Sequence, residues 1–261
     1  MKTNLTISTA VLWGTLLFTT NLAAQDNKYP PLPAMTPEMT EFWSIQPTII
    51  TPGDKTTNAY ITAPSDAIIL FDGTNLNQWI GSREKGSAPW TIQDGAIVVK
   101  GGTGDIQTKA DFDNFQLHIE WSAPTPGNEK SQGRGNSGIF LQDRYELQVL
   151  DNYQNETYGN GQAGSIYKQT PPLVNAMRKP GEWNTYDVIY TAPTFKEDGT
   201  YRTPPCITVL HNGVVVQNNT AIRGTTEYIG HPQVQAHGKA PIRLQDHGNP
   251  VKYRNIWIRP L

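Results

Sequence analysis

The stretch 131-SQGRGNSGIFLQDRYELQVLDNY-153 decides the fold. Its first half contains Gly133-Arg134-Gly135-Asn136-Ser137-Gly138, a literal G-x-G-x-x-G, and Asp151 follows near where a ribose-binding acid is expected. A dinucleotide fingerprint must follow a strand and open a helix, because the helix N-terminus holds the pyrophosphate. Here the polar run 123-APTPGNEKSQ-132 precedes the glycines, and 137-SGIFL-141 and 145-YELQVL-150 read as a hairpin after them. The match is accidental, and no NAD is expected. Gly133, Gly135 and Gly138 read instead as residues permitting tight turns and close backbone approach at the entrance to a strand.

Outward from this hairpin, strand signals recur at short intervals: 67-AIILF-71, 89-PWTIQDGAIVV-99, 115-FQLHIEW-121, 185-TYDVIYTA-192, 206-CITVLHNGVVVQN-218 and 251-VKYRNIWIRP-260. The Asp-Gly and Asn-Gly pairs between β-branched runs are strong hairpin signals. No long stretch carries a 3.6-residue apolar period. Many short strands from residue 67 onward predict an all-β sandwich or barrel, not a doubly wound sheet.

The 261 residues are 37% hydrophobic and 17% charged, with a formal net charge of −2. That supports one large domain with an extension, and offers no electrostatic footprint for nucleic acid or an anionic membrane. Lys2, the apolar 10-AVLWGTLLFTT-20 and the small residues of 21-NLAAQ-25 predict a signal peptide over residues 1–24, cleaved after Ala24. The apolar run is too short to span a bilayer. Cys206 is the single cysteine, which rules out an intramolecular disulfide and leaves no lipid-bearing cysteine near the cleavage site. Between Pro205 and the apolar 207-ITVL-210 it reads as a buried structural thiol. The expectation is an exported, periplasmic protein with no membrane attachment after processing. Residues 25–66, rich in Pro and Thr, read as an extended arm with at most one short helix near Thr36–Trp43, entered through Thr36 and Pro37. Residues 67–261 form the domain.

Strand parity sorts the candidate site residues. Gln116, His118 and Glu120 share one face of their strand, and Glu146 and Gln148 share one face of theirs. A polar face is ordinarily just solvated. Two strands that both put Glu on the polar face, one adding His, suit a sheet lined for sugar hydroxyls. Gln245, Asp246 and His247 precede a Gly-Asn-Pro turn, with Arg254 on the next strand. Asp beside His can orient an imidazole or begin a metal site. Equally, Asp246 can cap the turn while His247 packs. There is no G-x-S-x-G, H-E-x-x-H or P-loop, so serine nucleophiles and phosphoryl transfer have no support.

The blocks 70-LFDGTNLNQW-79, 133-GRGNSGIFLQDRYELQVLDNY-153, 180-PGEWNTYDVIY-190, 209-VLHNGVVVQN-218 and 244-LQDHGNPVKYRNIWIRPL-261 resemble, in order and spacing, the 3-keto-disaccharide hydrolase family, formerly a domain of unknown function. The resemblance covers most of residues 65–261, and 41-EFWSIQP-47 and 50-ITPGD-54 resemble the arm of Bacteroidota members. It implies a concanavalin A-like jelly roll of two antiparallel sheets. It also implies a glycoside substrate carrying a ketone at C3, installed by a separate sugar 3-oxidoreductase. Cleavage would then follow C2-proton abstraction, elimination of the C1 leaving group and hydration, with a lyase outcome if hydration fails. On that reading Glu146 is the leading acid/base or metal ligand, and Asp246 and His247 are the second pair. Arg134 and Asn136 hold hydroxyls or the enolate oxygen, with Gln148, Gln245, Arg254, Glu120 and His118 as further substrate contacts. A divalent metal bridging O2 and O3 could serve as the electrophile. Two other readings stay open: a non-catalytic carbohydrate-binding module, and an ordinary glycosidase acting on unoxidised sugar.

Overall fold

The computed structural model describes residues 33–53 and 62–261, so the signal peptide read over residues 1–24 lies outside the described residues. Met35–Leu261 forms a single compact unit.

The alternating run Phe115–Ser122 buries Phe115, Leu117, Ile119 and Trp121, and lies at the centre of an eight-stranded sheet. On one side it pairs antiparallel with Asn184–Thr191, followed by Cys206–His211 and Val214–Ala221. On the other it pairs with Lys252–Pro260, then Ala96–Val98 and Thr91–Gln93, while Ile68–Phe71 also joins Lys252–Pro260. The two hairpin turns sit where Asp94-Gly95 and Asn212-Gly213 adopt positive φ, at 51°, 72°, 54° and 81°. Such φ pairs match the right-handed twist of the flanking strands.

A five-stranded antiparallel sheet follows the order Trp79–Gly81, Ile106–Thr108, Arg243–Leu244, Ser137–Leu141 and Tyr145–Val149. Its odd-numbered hairpin residues Ile139, Leu141, Tyr145, Leu147 and Val149 enter one continuous core with the inner face of the larger sheet. Phenols cross that core to bond the smaller sheet: Tyr186 Oη donates to the Gln148 carbonyl at 2.8 Å and Tyr253 Oη to Ser137 Oγ at 2.7 Å. Buried hydroxyls need such partners, and here they also fix the spacing of the sheets. The architecture is an all-β sandwich of the jelly-roll type. One short parallel pair, Thr48–Ile49 with Val174–Asn175, and one short antiparallel pair, Thr194–Phe195 with Tyr201–Thr203, stand outside the two large sheets.

That parallel pair belongs to the segment 35–53, which opens with a 3-10 turn over Pro37–Thr40. Thr36 occupies the N-cap position without a side-chain capping bond. The buried Asn160 amide holds the segment at two points, donating to the Thr40 carbonyl at 2.9 Å and accepting from the Phe42 N–H at 2.9 Å. Gly159 N–H adds a bond to the Phe42 carbonyl at 3.0 Å. A Cβ at Gly159 would collide with the Ile45 carbonyl, so the close approach of the two segments requires glycine there. Cys206 corrects the sequence reading: it starts the strand between Asn184–Thr191 and Val214–Ala221 and is half-buried, since its side chain takes the parity opposite to the core residues Ile207 and Val209.

Candidate active site

The even-numbered residues of the hairpin point away from the core, and there Phe140, Glu146 and Gln148 form the floor of a cavity. Its volume is about 650 Å³, and Asn136, Gln245, His247, Tyr158, Tyr167, Glu41 and Trp43 reach it from loops and from the N-terminal segment. The long irregular stretch after Val149 makes one wall. Its residues 164–167 bond the backbone of Glu146 and Gln148, which covers the open edge of the smaller sheet.

Glu146 sits on the floor only 4% exposed, and no hydrogen bond reaches its carboxylate among the described residues. The nearby cation, Arg243, stacks 3.7 Å above the Phe140 ring and pairs with both Asp143 and Asp105. Its charge is therefore largely answered elsewhere. Burial pushes the Glu146 carboxyl up to about 8, with Arg243 opposing and Asp105 adding to the shift. A Cβ at Gly138 would overlap the Glu146 carboxylate, so this glycine leaves the room the acid occupies.

Around the acid stands a fixed set of amides. Gln148 Nε2 donates to Gln132 Oε1 at 3.0 Å, and Asn136 Nδ2 donates to the Gln132 carbonyl at 2.7 Å. Gln245 differs from these: its side-chain oxygen is buried without a hydrogen-bond partner. Such an orphaned acceptor on a cavity wall is a group waiting for a ligand. Tyr158 and Tyr167 share a hydrogen bond at 2.7 Å, and burial raises both phenols, which keeps them neutral donors.

Of the residues predicted from sequence, the cavity thus brings together Glu146, Gln148, Asn136, Gln245 and His247. The others go elsewhere. His118 and Glu120 lie on the outer face of the larger sheet, across the core from Glu146. There His118 Nδ1 bonds Asp187 at 2.6 Å, and Glu120 pairs with Arg254 at 2.7 Å. Arg254 also stacks 4.0 Å from the Trp183 ring, which places it in the same structural cluster. Arg134 is held by Asp151 at 2.6 Å and by the Tyr153 carbonyl, and faces a neighbouring cavity. Asp246 caps its turn, with its two oxygens accepting the N–H groups of Gly104 and Gly248, each at 2.9 Å.

The same capping bonds decide the fit to a divalent metal. Of the three candidate ligands only Glu146 and His247 face the cavity, and no group of three His, Cys, Asp or Glu side chains converges among the described residues. The donor set does not match a three-ligand site, and no step below runs through a metal.

Sequence reasoning missed Gln132, Tyr158, Tyr167, Thr226, Tyr228, Glu41 and Trp43 as cavity residues. Most come from segments with no periodic pattern. The signal available was the length of the strand-free stretch between Val149 and Val174, since long irregular loops in compact domains are often functional.

The model of the 3-keto-alpha-glucoside-1,2-lyase-like domain matches residues 66–259. The chain belongs to this family. A crystal structure of a candidate glycosyl hydrolase from Parabacteroides distasonis shares 60% identity, covers 87% of this chain and 97% of its own, and superposes with a TM-score of 0.76. A second candidate glycosyl hydrolase from that organism, at 21% identity and TM-score 0.55, shares the fold over 75% of this chain and 94% of its own. The 3-keto-disaccharide hydrolase of Bacteroides thetaiotaomicron is 28% identical over 244 residues, covering 76% of this chain and 80% of that protein. The 3-keto-alpha-glucoside-1,2-lyase-like domain begins at residue 66, so the two cavity residues Glu41 and Trp43 lie before it.

Proposed function

We propose that this protein cleaves the glycosidic bond of 3-keto-glycosides, 3-keto-disaccharides among them, with Glu146 as the general base. The observation that carries the proposal is the Glu146 carboxylate, buried on a cavity floor without a hydrogen-bond partner and raised to about 8. A carboxylate so placed is a stronger base than one in water, and proton transfer favours a base whose value lies near the working pH. The family and the name of the Bacteroides relative support the substrate class.

A ketone at C3 acidifies the hydrogen on C2. Glu146 takes that proton, and the electron pair moves toward the C3 oxygen as an enolate. The Tyr158–Tyr167 pair supplies a neutral donor for that oxygen, while the unpartnered Gln245 side-chain oxygen is free to accept from a sugar hydroxyl. Collapse of the enolate forms the C1–C2 double bond and expels the oxygen on C1, which takes a proton from His247 on the cavity wall. Water then adds at C1, and C2 regains a proton. The sum is hydrolysis, and release before hydration makes the same site a lyase. Only Glu41 and Glu146 are acidic among the lining residues, and Glu41 is engaged by Trp43 Nε1 at 2.8 Å and Lys168 at 3.6 Å. An ordinary glycosidase needs two working carboxylates, so this arrangement favours the keto-dependent route.

The ketone must come from a separate sugar 3-oxidoreductase, and the leader read over residues 1–24 puts the reaction in the periplasm; cell fractionation checks the location. For the chemistry, the purified protein is given a 3-keto glucoside with a chromogenic leaving group, and separately its unoxidised parent. Release from the keto compound alone, slowed by deuterium at C2, is expected. Equal release from the parent would sink the proposal.

A further inference from the structure

Beside the Glu146 cavity lies a second one of about 1000 Å³, and the two share Trp43 and Ser131 as lining residues. We propose that this second cavity is the leaving-group subsite, that it takes a hydroxyl-rich sugar, and that Trp43, from outside the family domain, is its stacking platform. The inference rests on the function proposed above and adds where a sugar leaving group is held and by which side chain outside the family domain.

Three observations carry it. The first is continuity: one indole bounds both cavities, so a bond cleaved in the first leaves its departing half against Trp43. The second is the lining. Apart from Trp43, the second cavity is lined by glycine, serine and polar or charged residues, among them Asn128, Lys130, Arg134 and Asn155. An aryl or alkyl leaving group would leave the amides and charges of such surroundings without partners. A sugar presents both a C–H face for the indole and a rim of hydroxyls for amides and charges.

The third observation is how Trp43 is held. Its side chain is 48% exposed, yet its Nε1–H already donates to Glu41 Oε2 at 2.8 Å. Glu41 is in turn fixed by Lys168 at 3.6 Å, and the indole packs against Tyr158 in a T-shaped pair with centroids 5.7 Å apart. The polar end of the indole is therefore satisfied within the protein, and what remains for a ligand is the ring face. Asn160 and Gly159, inside the family domain, clamp the backbone on either side of Phe42 and so set the position of that face. A half-exposed aromatic ring tethered through its N–H is preorganised for stacking.

The test compares kcat/KM for a 3-keto disaccharide with that for methyl 3-keto-glucoside, which carries no second ring. In Trp43→Ala the ratio of disaccharide to methyl glycoside should fall roughly three- to tenfold, the range a stacking contact is worth, and Trp43→Phe should restore most of it. Trp43→Leu keeps apolar bulk without an aromatic face and covers the case in which the Ala variant does not fold; it too should lower the ratio. An unchanged ratio in Trp43→Leu, or a fall in both substrates by the same factor, overturns the subsite. Failure of the wild-type protein to cleave methyl 3-keto-glucoside or the disaccharide refutes the underlying function instead, so the two failures are separable.

Discussion

Gly138 leaves the space that the Glu146 carboxylate fills: any Cβ on the glycine would overlap the acid across the strand pair. Gly138→Ala should therefore displace the carboxylate without removing it. The expected result is a fall in kcat on the order of 100-fold, as for other small misplacements of a reacting group. Unfolding stability should drop by only about 1–3 kcal/mol from overpacking. Turnover and denaturant unfolding of the same variant check both halves.

Glu146→Gln should abolish turnover and leave the fold intact. The pH dependence carries more information. A base raised to about 8 is protonated below that value, so wild-type kcat/KM should rise with pH on the acid side of an inflection near 8. A profile flat from about pH 6 to about pH 9, on either side of that inflection, would remove Glu146 from proton transfer.

The same shift makes a stability prediction with a definite sign. Glu146 lies near 4.5 when unfolded and is raised to about 8 when folded. The folded state thus binds more protons through that window, and wild-type stability should decline relative to Glu146→Gln as pH rises from 4.5 to 8. Urea midpoints of both proteins across the window check it, and parallel curves would contradict it.

On the outer face of the larger sheet, Glu120 is held at about 2; burial opposes this, and the nearby His118 imidazole, the hydrogen bonds from Asn255 and Arg254 and the Arg254 charge outweigh it. Its contribution to stability is present above the unfolded value of 4.5 and is lost as pH falls toward 2. Glu120→Gln should cost about 1–3 kcal/mol at neutral pH while leaving kcat/KM on a 3-keto glucoside within about twofold, a difference too small for a lost catalytic contact. A large kinetic loss in a well-folded variant would place this cluster in the site after all.

That last contrast shows what strand parity can and cannot read. Alternation put Glu146 with Gln148 and His118 with Glu120, and the structure has each pair on one face. Parity reports which side of its own strand a residue takes, not which sheet the strand joins. The pairing of Phe115–Ser122 with Asn184–Thr191 and Lys252–Pro260 depends on contacts far apart in the chain. Asp246 misled for a different reason. Adjacency to His247 suggested a working pair, whereas its loop needed both carboxylate oxygens for backbone N–H groups. Trp43, Tyr158 and Tyr167 carry no pattern at all, because their positions are set by docking of irregular segments. The sandwich itself was legible, since Asp-Gly and Asn-Gly turns and alternating apolar runs are local features.

The Asn160 clamp also imposes an order on biosynthesis. Phe42 leaves the ribosome early, but the side chain that accepts its N–H lies 118 residues downstream. A nascent chain that ends before Asn160 has the N-terminal segment and no clamp to hold it. The wall of the cavity that contains Trp43 is thus made first and seated late, by one of the longer-range contacts in the molecule. Such contacts are slow to close, because the intervening chain must be ordered before they form.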